Sequence, residues 1–331
     1  MENLISSALS IATAGALLAG CGTLAQGPNE VPPLTSHTAS QSVPMTSSSG
    51  TVVVANSEAN TVEGFSADAN GNVTPLWTLG GSNVKLNYPT GVFVGPDSKL
   101  YVVSNQDPAI NVYAAGASGN QAPIQRIEGT KTKLALPAGV TVDSGGNIYV
   151  SSNGAILVFA SSANGDVSPI RKISGSKTGL SEPIGIALNH KNQLLVSNPY
   201  EESITVFRAN AHGNVAPIKT IAGPDTELDL PWGLALDAND NIYTTTKFHD
   251  VLIFPAGATG VQKPARRVRG PNSGLNDPIG LAVDSTRRIY AANWGDTTVT
   301  TYGKGSRRKP STEISGSYTG LNHPFGLALS P

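Results

Sequence analysis

Cysteine and charged side chains are scarce in this sequence, and each scarcity excludes a class of protein. A single cysteine among 331 residues rules out an intrachain disulfide and any metal site built from several cysteines. Lysine and arginine total 22 against 23 acidic residues, so the net charge of -1 offers no overall basic field. A nucleic-acid partner is therefore not expected.

Glycine and proline, by contrast, are abundant at 36 and 23 residues, which is typical of a chain with many tight turns and little helix. Six prolines open related segments of the form Pro-x-Gly followed by an apolar run. These anchors begin at Pro89, Pro137, Pro183, Pro231, Pro278 and Pro324. Successive anchor prolines are 48, 46, 48, 47 and 46 residues apart, and this period predicts a repeat architecture.

Each repeat reads as four short strands, as the unit that begins at Pro137 illustrates. Apolar, β-forming runs cover residues 140–142, 148–151, 156–159 and 170–173, and turn residues such as Asn164-Gly165 separate them. Four strands in about 40–50 residues is the pattern of a β-propeller blade. We name the strands a, b, c and d from the central axis outward. Strand d carries basic residues and follows a proline, as expected for an outer edge that avoids pairing with another molecule.

Five units are complete, but the anchor at Pro324 is followed only by a strand a. Its missing strands match the beginning of the repeat region, with Thr51–Val54 as b, Thr61–Phe65 as c and Pro75–Leu79 as d. The predicted fold class is therefore all-β. It is a six-bladed β-propeller of four-stranded blades, closed by the C-terminal strand a plus the N-terminal strands b, c and d.

The N-terminal residues 1–20 are predicted to be a signal peptide of the lipoprotein type. Their apolar stretch is too short to span a bilayer and ends in Leu18-Ala19-Gly20-Cys21, which resembles the bacterial lipobox. The segment contains Glu2 and no Lys or Arg, so an upstream start, an ordinary cleaved signal and a disordered tail are the alternatives. The expected location is extracytoplasmic. The protein is either secreted or held in the cell envelope as a lipoprotein, with the lipid on Cys21 as its membrane contact.

Two further segments follow this signal. Residues 21–50 are rich in Ser, Thr, Pro and Gln with almost no charge, which predicts a disordered tether. Residues 51–331 hold all six anchors and are predicted to form the propeller as a single domain, expected to be a monomer.

A family resemblance rests on the motif that follows each anchor. After Pro137 and an apolar strand, residues 143–150 read Asp-x-x-Gly-Asn-Ile-Tyr-Val. This pattern resembles the NHL repeat of six-bladed β-propellers, and the resemblance covers residues 51–331. The third unit departs from the motif with Leu194-Leu195, and the fifth with Arg287-Arg288. The resemblance implies the propeller fold but restricts function little, because binders, scaffolds and several enzyme types share that fold.

A propeller has two unlike faces, and the sequence favours one of them for binding. The b–c loops and d–a connections form what we call the loop face, while the a–b and c–d turns form the turn face. The b–c loops differ from unit to unit, and variable loops on a constant scaffold commonly carry binding sites. The loop face is also rich in aromatic and acidic residues. The predicted ligand-binding residues are Tyr88, Tyr200, Trp232, Phe248, His249, Trp294 and His323.

Asparagine recurs at the end of strand b. The five positions are Asn56, Asn105, Asn153, Asn198 and Asn293, with Lys247 in the remaining unit. A structural role is the main interpretation because asparagine satisfies backbone groups in turns, and a polar ring that holds a metal or a sugar is the alternative. The segment Lys247-Phe248-His249-Asp250 breaks this pattern and is the more interesting candidate for function.

Two functions follow from these observations. The first is a surface-anchored, non-catalytic propeller that binds a protein, peptide or glycan on the loop face without a cofactor. The second is a metal-assisted lyase or lactone hydrolase at the mouth of the central channel, since lyases among NHL-like propellers hold a metal through histidines. Glu182, Glu201, Asp250 and Asp296 offer oxygen ligands for such a divalent metal.

The search for catalytic groups favours the first function. The sequence has no Gly-x-Ser-x-Gly motif, phosphate loop or cysteine nucleophile. Of its five histidines only His249 and His323 fall on the loop face, on non-adjacent units, and a catalytic zinc site takes three protein ligands. No catalytic residue is predicted, and whether the protein is an enzyme stays open.

Overall fold

The computed structural model describes residues 50–330, which form 24 β-strands and a few short turns of 3₁₀-helix. The predicted signal peptide, Cys21 and the tether as far as residue 49 lie outside the described residues. The strands are β1 (Thr51–Asn56), β2 (Thr61–Ser66), β3 (Trp77–Leu79), β4 (Pro89–Val94), β5 (Leu100–Ser104), β6 (Ala109–Tyr113), β7 (Gln125–Glu128), β8 (Val140–Val142), β9 (Ile148–Ser152), β10 (Ala155–Phe159), β11 (Arg171–Ser174), β12 (Ile186–Leu188), β13 (Leu194–Asn198), β14 (Ser203–Phe207), β15 (Lys219–Ile221), β16 (Pro231–Leu236), β17 (Ile242–Thr246), β18 (Asp250–Phe254), β19 (Arg266–Val268), β20 (Pro278–Val283), β21 (Ile289–Asn293), β22 (Thr298–Tyr302), β23 (Thr312–Ile314) and β24 (Pro324–Ser330). Within residues 50–330 no helix is long and apolar enough to cross a membrane.

The strands form six four-stranded antiparallel sheets, each in the order a, b, c, d, so the six-bladed propeller is confirmed. Blades 1 to 5 are consecutive in the chain: β4–β7, β8–β11, β12–β15, β16–β19 and β20–β23. Blade 6 has the order β24, β1, β2, β3 and therefore joins the two ends of the propeller region, as predicted. In it β24 pairs antiparallel with β1 from Thr51↔Ser330 to Asn56↔Pro324.

The apolar core is divided among the spaces between blades. Six clusters of buried side chains each combine residues from two neighbouring blades, and the pairs run around the ring, including blades 5 and 6 and blades 6 and 1. Strands a, b and c therefore have apolar contacts on both faces, which explains their nearly continuous apolar sequences. The stability of each blade consequently depends on both of its neighbours.

Near the axis, the strands a approach each other too closely for side chains at the anchor glycines. A Cβ atom placed on Gly233 would lie 2.2 Å from the carbonyl oxygen of Ile279 in the next blade. The five equivalent positions would meet the corresponding carbonyl oxygen at 2.3–2.4 Å; they are Gly91, Gly139, Gly185, Gly280 and Gly326. The repeated glycine is therefore a packing requirement of the central ring.

Blade 6 contains a buried carboxyl group. Glu63 on strand c is 3% exposed, and its Oε2 has no hydrogen-bond partner among the described residues. Burial raises the pKa of Glu63 to about 7, although a hydrogen bond with Asn56 acts in the opposite direction. The carboxyl lies against the connection into β24, since a Cβ atom on Gly320 would lie 2.4 Å from Glu63 Oε1.

This burial predicts that the closing blade weakens as pH rises. The pKa of Glu63 is about 7 in the folded chain against an ordinary value of 4.5, so the folded state binds more protons between these values. The stability associated with protonated Glu63 is present below pH ~4.5 and is lost as pH rises through about 7, a loss of about 3 kcal/mol. Glu63→Gln should remove this loss and raise the melting temperature at pH 8.

The measurement is thermal unfolding of both proteins across this pH range. Glu201→Gln, at an exposed position, is the matched control and should keep the parent profile. A Glu63→Gln protein with the same pH profile as the parent would contradict the prediction.

Candidate functional site

Hydrogen bonds between the b–c loops and the d–a connections define the loop face. In blade 1 the amide of Asn105 donates to the carbonyl of Tyr88 at 3.1 Å, and in blade 6 the amide of Ser57 donates to that of His323 at 3.2 Å. Blade 5 repeats the contact between Trp294 and Asp277 at 3.2 Å. The two sets of loops therefore lie together on one face, as predicted.

The residue before each anchor proline adopts a left-handed backbone conformation. The φ angles lie between 43° and 53° at Tyr88, Leu136, Glu182, Leu230, Asp277 and His323. None of these residues is glycine, and this conformation is costly for L-residues. Because all six repeats share it, the strain belongs to the scaffold. It also fixes the backbone from which Tyr88 and His323 project.

A chain of contacts links several predicted site residues across blades 4, 5 and 6. The amide of Asp277 donates to His249 Nδ1 at 3.1 Å, and the carbonyl of Asp277 accepts from the amide of Trp294. The Trp294 ring packs on that of His323, with centroids 4.7 Å apart and planes at 53°. The carbonyl of His323 then accepts from Ser57 Oγ at 2.8 Å. The structure thus brings His249, Trp294 and His323 into one continuous arc.

Tyr88 stands at the end of this arc, beneath the loops. Its side chain is 3% exposed, and its pKa is raised mainly by burial, with smaller effects from Ser57, Glu58 and Trp294. The Tyr88 hydroxyl and the Trp294 Nε1 are both buried without a well-aligned hydrogen-bond partner in the described part of the chain. Tyr88 consequently supports the loops from below and offers almost no surface for a ligand.

The three remaining predicted residues, Tyr200, Trp232 and Phe248, lie outside this arc. Tyr200 lies in the 3₁₀ turn Pro199–Glu201 of blade 3. Trp232 is the second residue of β16 and is half-buried, and its carbonyl accepts from Gly185 N at 3.1 Å and from Ser197 Oγ at 2.6 Å. Neither residue takes part in the contacts that define the arc. Phe248, in contrast, precedes His249 directly and is 59% exposed.

A groove of about 580 Å³ opens where the loop Lys247–His249 departs from the repeat. It lies between blades 4 and 5 on the loop face, and Asp250, which the sequence placed in the loop, is the first residue of strand c. The side chains that determine its chemistry are Phe248, His249, Asp250, Arg269, Ser273 and Asp296. The groove therefore combines an exposed aromatic ring with both signs of charge.

Carboxyl groups outnumber guanidinium groups by one in and around this groove. Arg269 Nη1 lies 3.7 Å from Asp250 Oδ2 and 3.3 Å from Glu227 Oε2, and Glu227 is also paired with the guanidinium of Arg267. Burial raises the pKa of Asp250, and nearby Glu227 raises it further, while Arg269 counteracts both effects. Asp296 adds a third carboxyl, whose Oδ1 accepts from Thr298 Oγ1 at 3.0 Å. A cationic ligand group would relieve this excess of negative charge.

The histidines of the arc do not form a metal site. Because His249 Nδ1 accepts a backbone N–H, its neutral ring carries the proton on Nε2, and neither nitrogen is available as a ligand. His323 Nδ1 contacts Asn322 Oδ1 at 2.9 Å. Within residues 50–330 no group of three or more His, Cys, Asp or Glu side chains is arranged to hold a metal ion. The metal implied by the NHL resemblance therefore does not fit the residues present.

The strand register corrects the predicted ring of asparagines. The residues that pair with the first residue of strand c are Asn56, Ser104, Ser152, Asn198, Thr246 and Asn293. Asn105 and Asn153 stand one residue later, so Lys247 does not interrupt a ring. The structural role is confirmed for Asn198 and Asn293, whose side-chain amides donate to threonine hydroxyls at 3.0–3.1 Å in the adjacent strand c.

Comparison with known proteins identifies solved structures that share the fold of this chain. No protein-family model and no curated protein matches the sequence. A protein of unknown function from Bacteroides caccae aligns over 86% of this chain and 99% of its own, with a TM-score of 0.63 and 12% identity. A chain of a nidogen/laminin complex aligns over 85% and 98%, with a TM-score of 0.60 and 15% identity. A catalytically inactive virginiamycin B lyase from Staphylococcus aureus with quinupristin aligns over 72% and 73%, with a TM-score of 0.52 and 13% identity. At these identities the chain shares the propeller fold with all three, and the fold is as far as the likeness extends.

Proposed function

We propose that this chain is an NHL-like propeller that binds a peptide segment of a partner protein in the groove between blades 4 and 5, without catalysing a reaction there. The observation that carries the proposal is the groove itself, which opens at a b–c loop that combines an exposed aromatic residue with a histidine. Its volume suits a few side chains of a ligand. Anchoring through a lipid on Cys21 is part of the same proposal and would present this face outside the cytoplasm.

The groove chemistry selects the class of peptide. Phe248 is a large apolar surface that a bound side chain can cover, and aromatic residues dominate the binding energy of many interfaces. Arg267 and Arg269 balance Glu227 and Asp250, so Asp296 leaves one negative charge in excess. Peptides with a lysine or arginine close to an aromatic or aliphatic residue are therefore the expected ligands.

This proposal predicts a specific selection result. Random peptides displayed on phage and selected on the full-length protein should be enriched in a basic residue next to an apolar one. Phe248→Ala should weaken binding of a selected peptide by at least about tenfold, because truncating an interface hot spot typically costs ~2 kcal/mol. Asp250→Asn should reduce binding of the same peptide and make it less sensitive to salt.

Two controls make the experiment decisive. Ile170→Ala removes another exposed apolar side chain, 55% exposed on the outer edge of blade 2, and should leave peptide binding unchanged. Unfolding curves should show that Phe248→Ala is as stable as the parent, since the ring is largely in solvent. Equal binding by the parent and Phe248→Ala would refute the groove. Binding of glycans with no selection of peptides would refute the proposed ligand class.

The lyase or hydrolase alternative receives less support. The similarity to virginiamycin B lyase is limited to the fold, and residues 50–330 offer no histidine–carboxylate set that could hold a catalytic metal. A binding role requires neither a catalytic metal nor a relationship to a lyase.

A further inference from the structure

On the turn face, the first residue of strand d forms the same hydrogen bond in several blades. In blades 1, 2 and 3 its side chain donates a hydrogen bond to a backbone carbonyl in the c–d turn of the next blade. These bonds run from Gln125 Nε2 to Ser161 O at 3.0 Å, from Arg171 Nη1 to Ala209 O at 2.8 Å and from Lys219 Nζ to Gly257 O at 3.0 Å. In blade 2 the guanidinium of Arg171 also donates to the hydroxyl of Tyr149 at 2.6 Å. The position thus ties each blade to its neighbour.

Arg266 occupies the same position in blade 4 but does not form this hydrogen bond to the next blade. Arg266 pairs with Ile253 of strand c in blade 4, just as Arg171 pairs with Val158 of strand c in blade 2. Its half-buried guanidinium has no hydrogen-bond acceptor and no acidic partner among the described residues. Burial lowers the pKa of Arg266, and the charges of Arg307 and Arg287 lower it further, while Tyr243 acts in the opposite direction. Arg266 pairs with Ile253, which pairs in turn with Tyr243, so Arg266 and Tyr243 lie on the same face of blade 4. The Tyr243 hydroxyl and Arg287 Nε both contact Asp237 Oδ2, at 3.2 and 3.4 Å, which places Arg287 beside the same tyrosine.

Arg307 belongs to a c–d loop that departs from the repeat. At the other five junctions between blades, a glycine of the c–d turn forms a β-bridge with strand d of the preceding blade, as Gly213 does with Ile173. Between blades 4 and 5 Arg307 takes the place of this glycine: the amide of Arg269 donates to its carbonyl at 3.0 Å, as the amide of Ser174 does to that of Gly213, but no β-bridge forms within residues 50–330 at this junction. The loop also carries exposed Lys304, Arg308 and Lys309, none of which has an acidic partner in the described structure. The net charge of the whole chain conceals this local excess.

Arg287 reaches the cluster from a strained backbone position. Its φ of 66° is left-handed, and the equivalent a–b turn residues are Ser98, Gly146, Asn192 and Asp240. Except for serine, these types are the ones that best tolerate this conformation, and arginine is not among them. Arg287 Nε lies 3.4 Å from Asp237 Oδ2, but that carboxylate already accepts from Asn241 and Tyr243. Asp237 is therefore shared between Arg287 and its two neutral donors.

We propose that Arg266, Arg287 and Arg307 form a binding site for a doubly charged oxyanion, specifically a phosphate monoester, on the turn face between blades 4 and 5. After Asp237 is counted, two positive charges remain, which matches the charge of the phosphate group. Guanidinium groups bind phosphate oxygens through paired, charge-assisted hydrogen bonds. The site is separate from the peptide groove, which lies on the opposite face.

The test uses inorganic phosphate and the full-length protein at constant ionic strength. Isothermal titration should show binding that Arg266→Gln and Arg287→Asn each weaken by at least about tenfold, because hydrogen bonds between charged groups are the strong ones. Arg171→Gln is the matched control, since it changes the same position in blade 2 and should leave the affinity unaltered. No phosphate binding by the parent would overturn the proposal. Equal affinity of the parent and Arg266→Gln would also overturn it, as would an equal loss in Arg171→Gln.

Thermal unfolding separates a binding role from a structural one. Without phosphate, Arg266→Gln should be at least as stable as the parent, because it removes repulsion among like charges. With phosphate, only the parent should gain stability. If Arg266→Gln is less stable than the parent and both respond equally to phosphate, Arg266 is structural and the proposal fails.

Two sources of the phosphate group can be distinguished with vesicles. Phosphatidylcholine vesicles with and without phosphatidic acid are sedimented with the protein, and the vesicles without phosphatidic acid control for any lipid on Cys21. Additional binding that requires phosphatidic acid and is lost in Arg266→Gln assigns the site to a lipid headgroup. Binding of inorganic phosphate without this addition assigns it to a soluble phosphate ester.

Discussion

Removal of residues 322–331 is expected to abolish cooperative unfolding of the propeller or lower its melting temperature by at least about 10 °C. These residues supply strand a of blade 6, which pairs with β1 along the whole length of that strand. Leu327 and Ala328 belong to the two buried clusters on either side of the blade. Without β24 the ring opens at both of these interfaces, and β1 becomes an exposed inner edge.

Circular dichroism and calorimetry of the truncated protein would measure this effect. A deletion of equal length within residues 31–40, in the predicted tether, is the control and should leave the melting temperature unchanged. A synthetic peptide of residues 322–331 should restore part of the lost stability, because it can replace the missing strand. A truncated protein with the melting temperature of the parent would show that blade 6 does not close the ring.

The sequence predicted the architecture because the determining signal is repeated six times. The period of the Pro-x-Gly anchors, together with the match of residues 51–79 to strands b, c and d, was sufficient to assign every blade. The asparagine ring was wrong for a local reason. The b–c loop has four residues after Asn56 but only two after Ser152. Because the pairing of the two strands sets which residue ends strand b, the last strand residue in blade 2 is Ser152 and not Asn153. Residue type alone could not show that Asn153 is one position out of register.

For the candidate site, the sequence pointed to the segment that borders the groove but not to all of the side chains that line it. Sequence reasoning singled out Lys247–Asp250 and the groove lies beside it, although Lys247 does not interrupt a ring and Asp250 begins strand c. Arg269 was not predicted because its role depends on Asp250 and Glu227, which lie 19 and 42 residues away in the chain. The neighbours of Arg266 could not be predicted from the sequence either, since one of them, Arg307, comes from a loop of the next blade. Comparison of equivalent positions around the ring would have been the available signal.

The anchor glycines provide the second large expected effect. Gly233→Ala should destabilise the propeller by more than about 3 kcal/mol, because its Cβ would lie 2.2 Å from a backbone carbonyl that cannot rotate away. The added atom would also lie 3.0 Å from Thr245 Oγ1, which donates to the carbonyl of Ile279 and accepts from the amide of Gly233. The substitution therefore strains the same contacts that hold blade 4 against blade 5.

Gly303→Ala is the matched control for this substitution. Gly303 has a backbone conformation open to other residues, and its Cβ would meet no atom within 4 Å, so alanine should be neutral or slightly stabilising. Urea unfolding of the two variants and the parent measures the difference directly. Gly185→Ala, whose Cβ would lie 2.4 Å from the carbonyl of Trp232, should behave like Gly233→Ala. If both anchor variants are as stable as Gly303→Ala, the close packing of the six strands a is not what requires glycine.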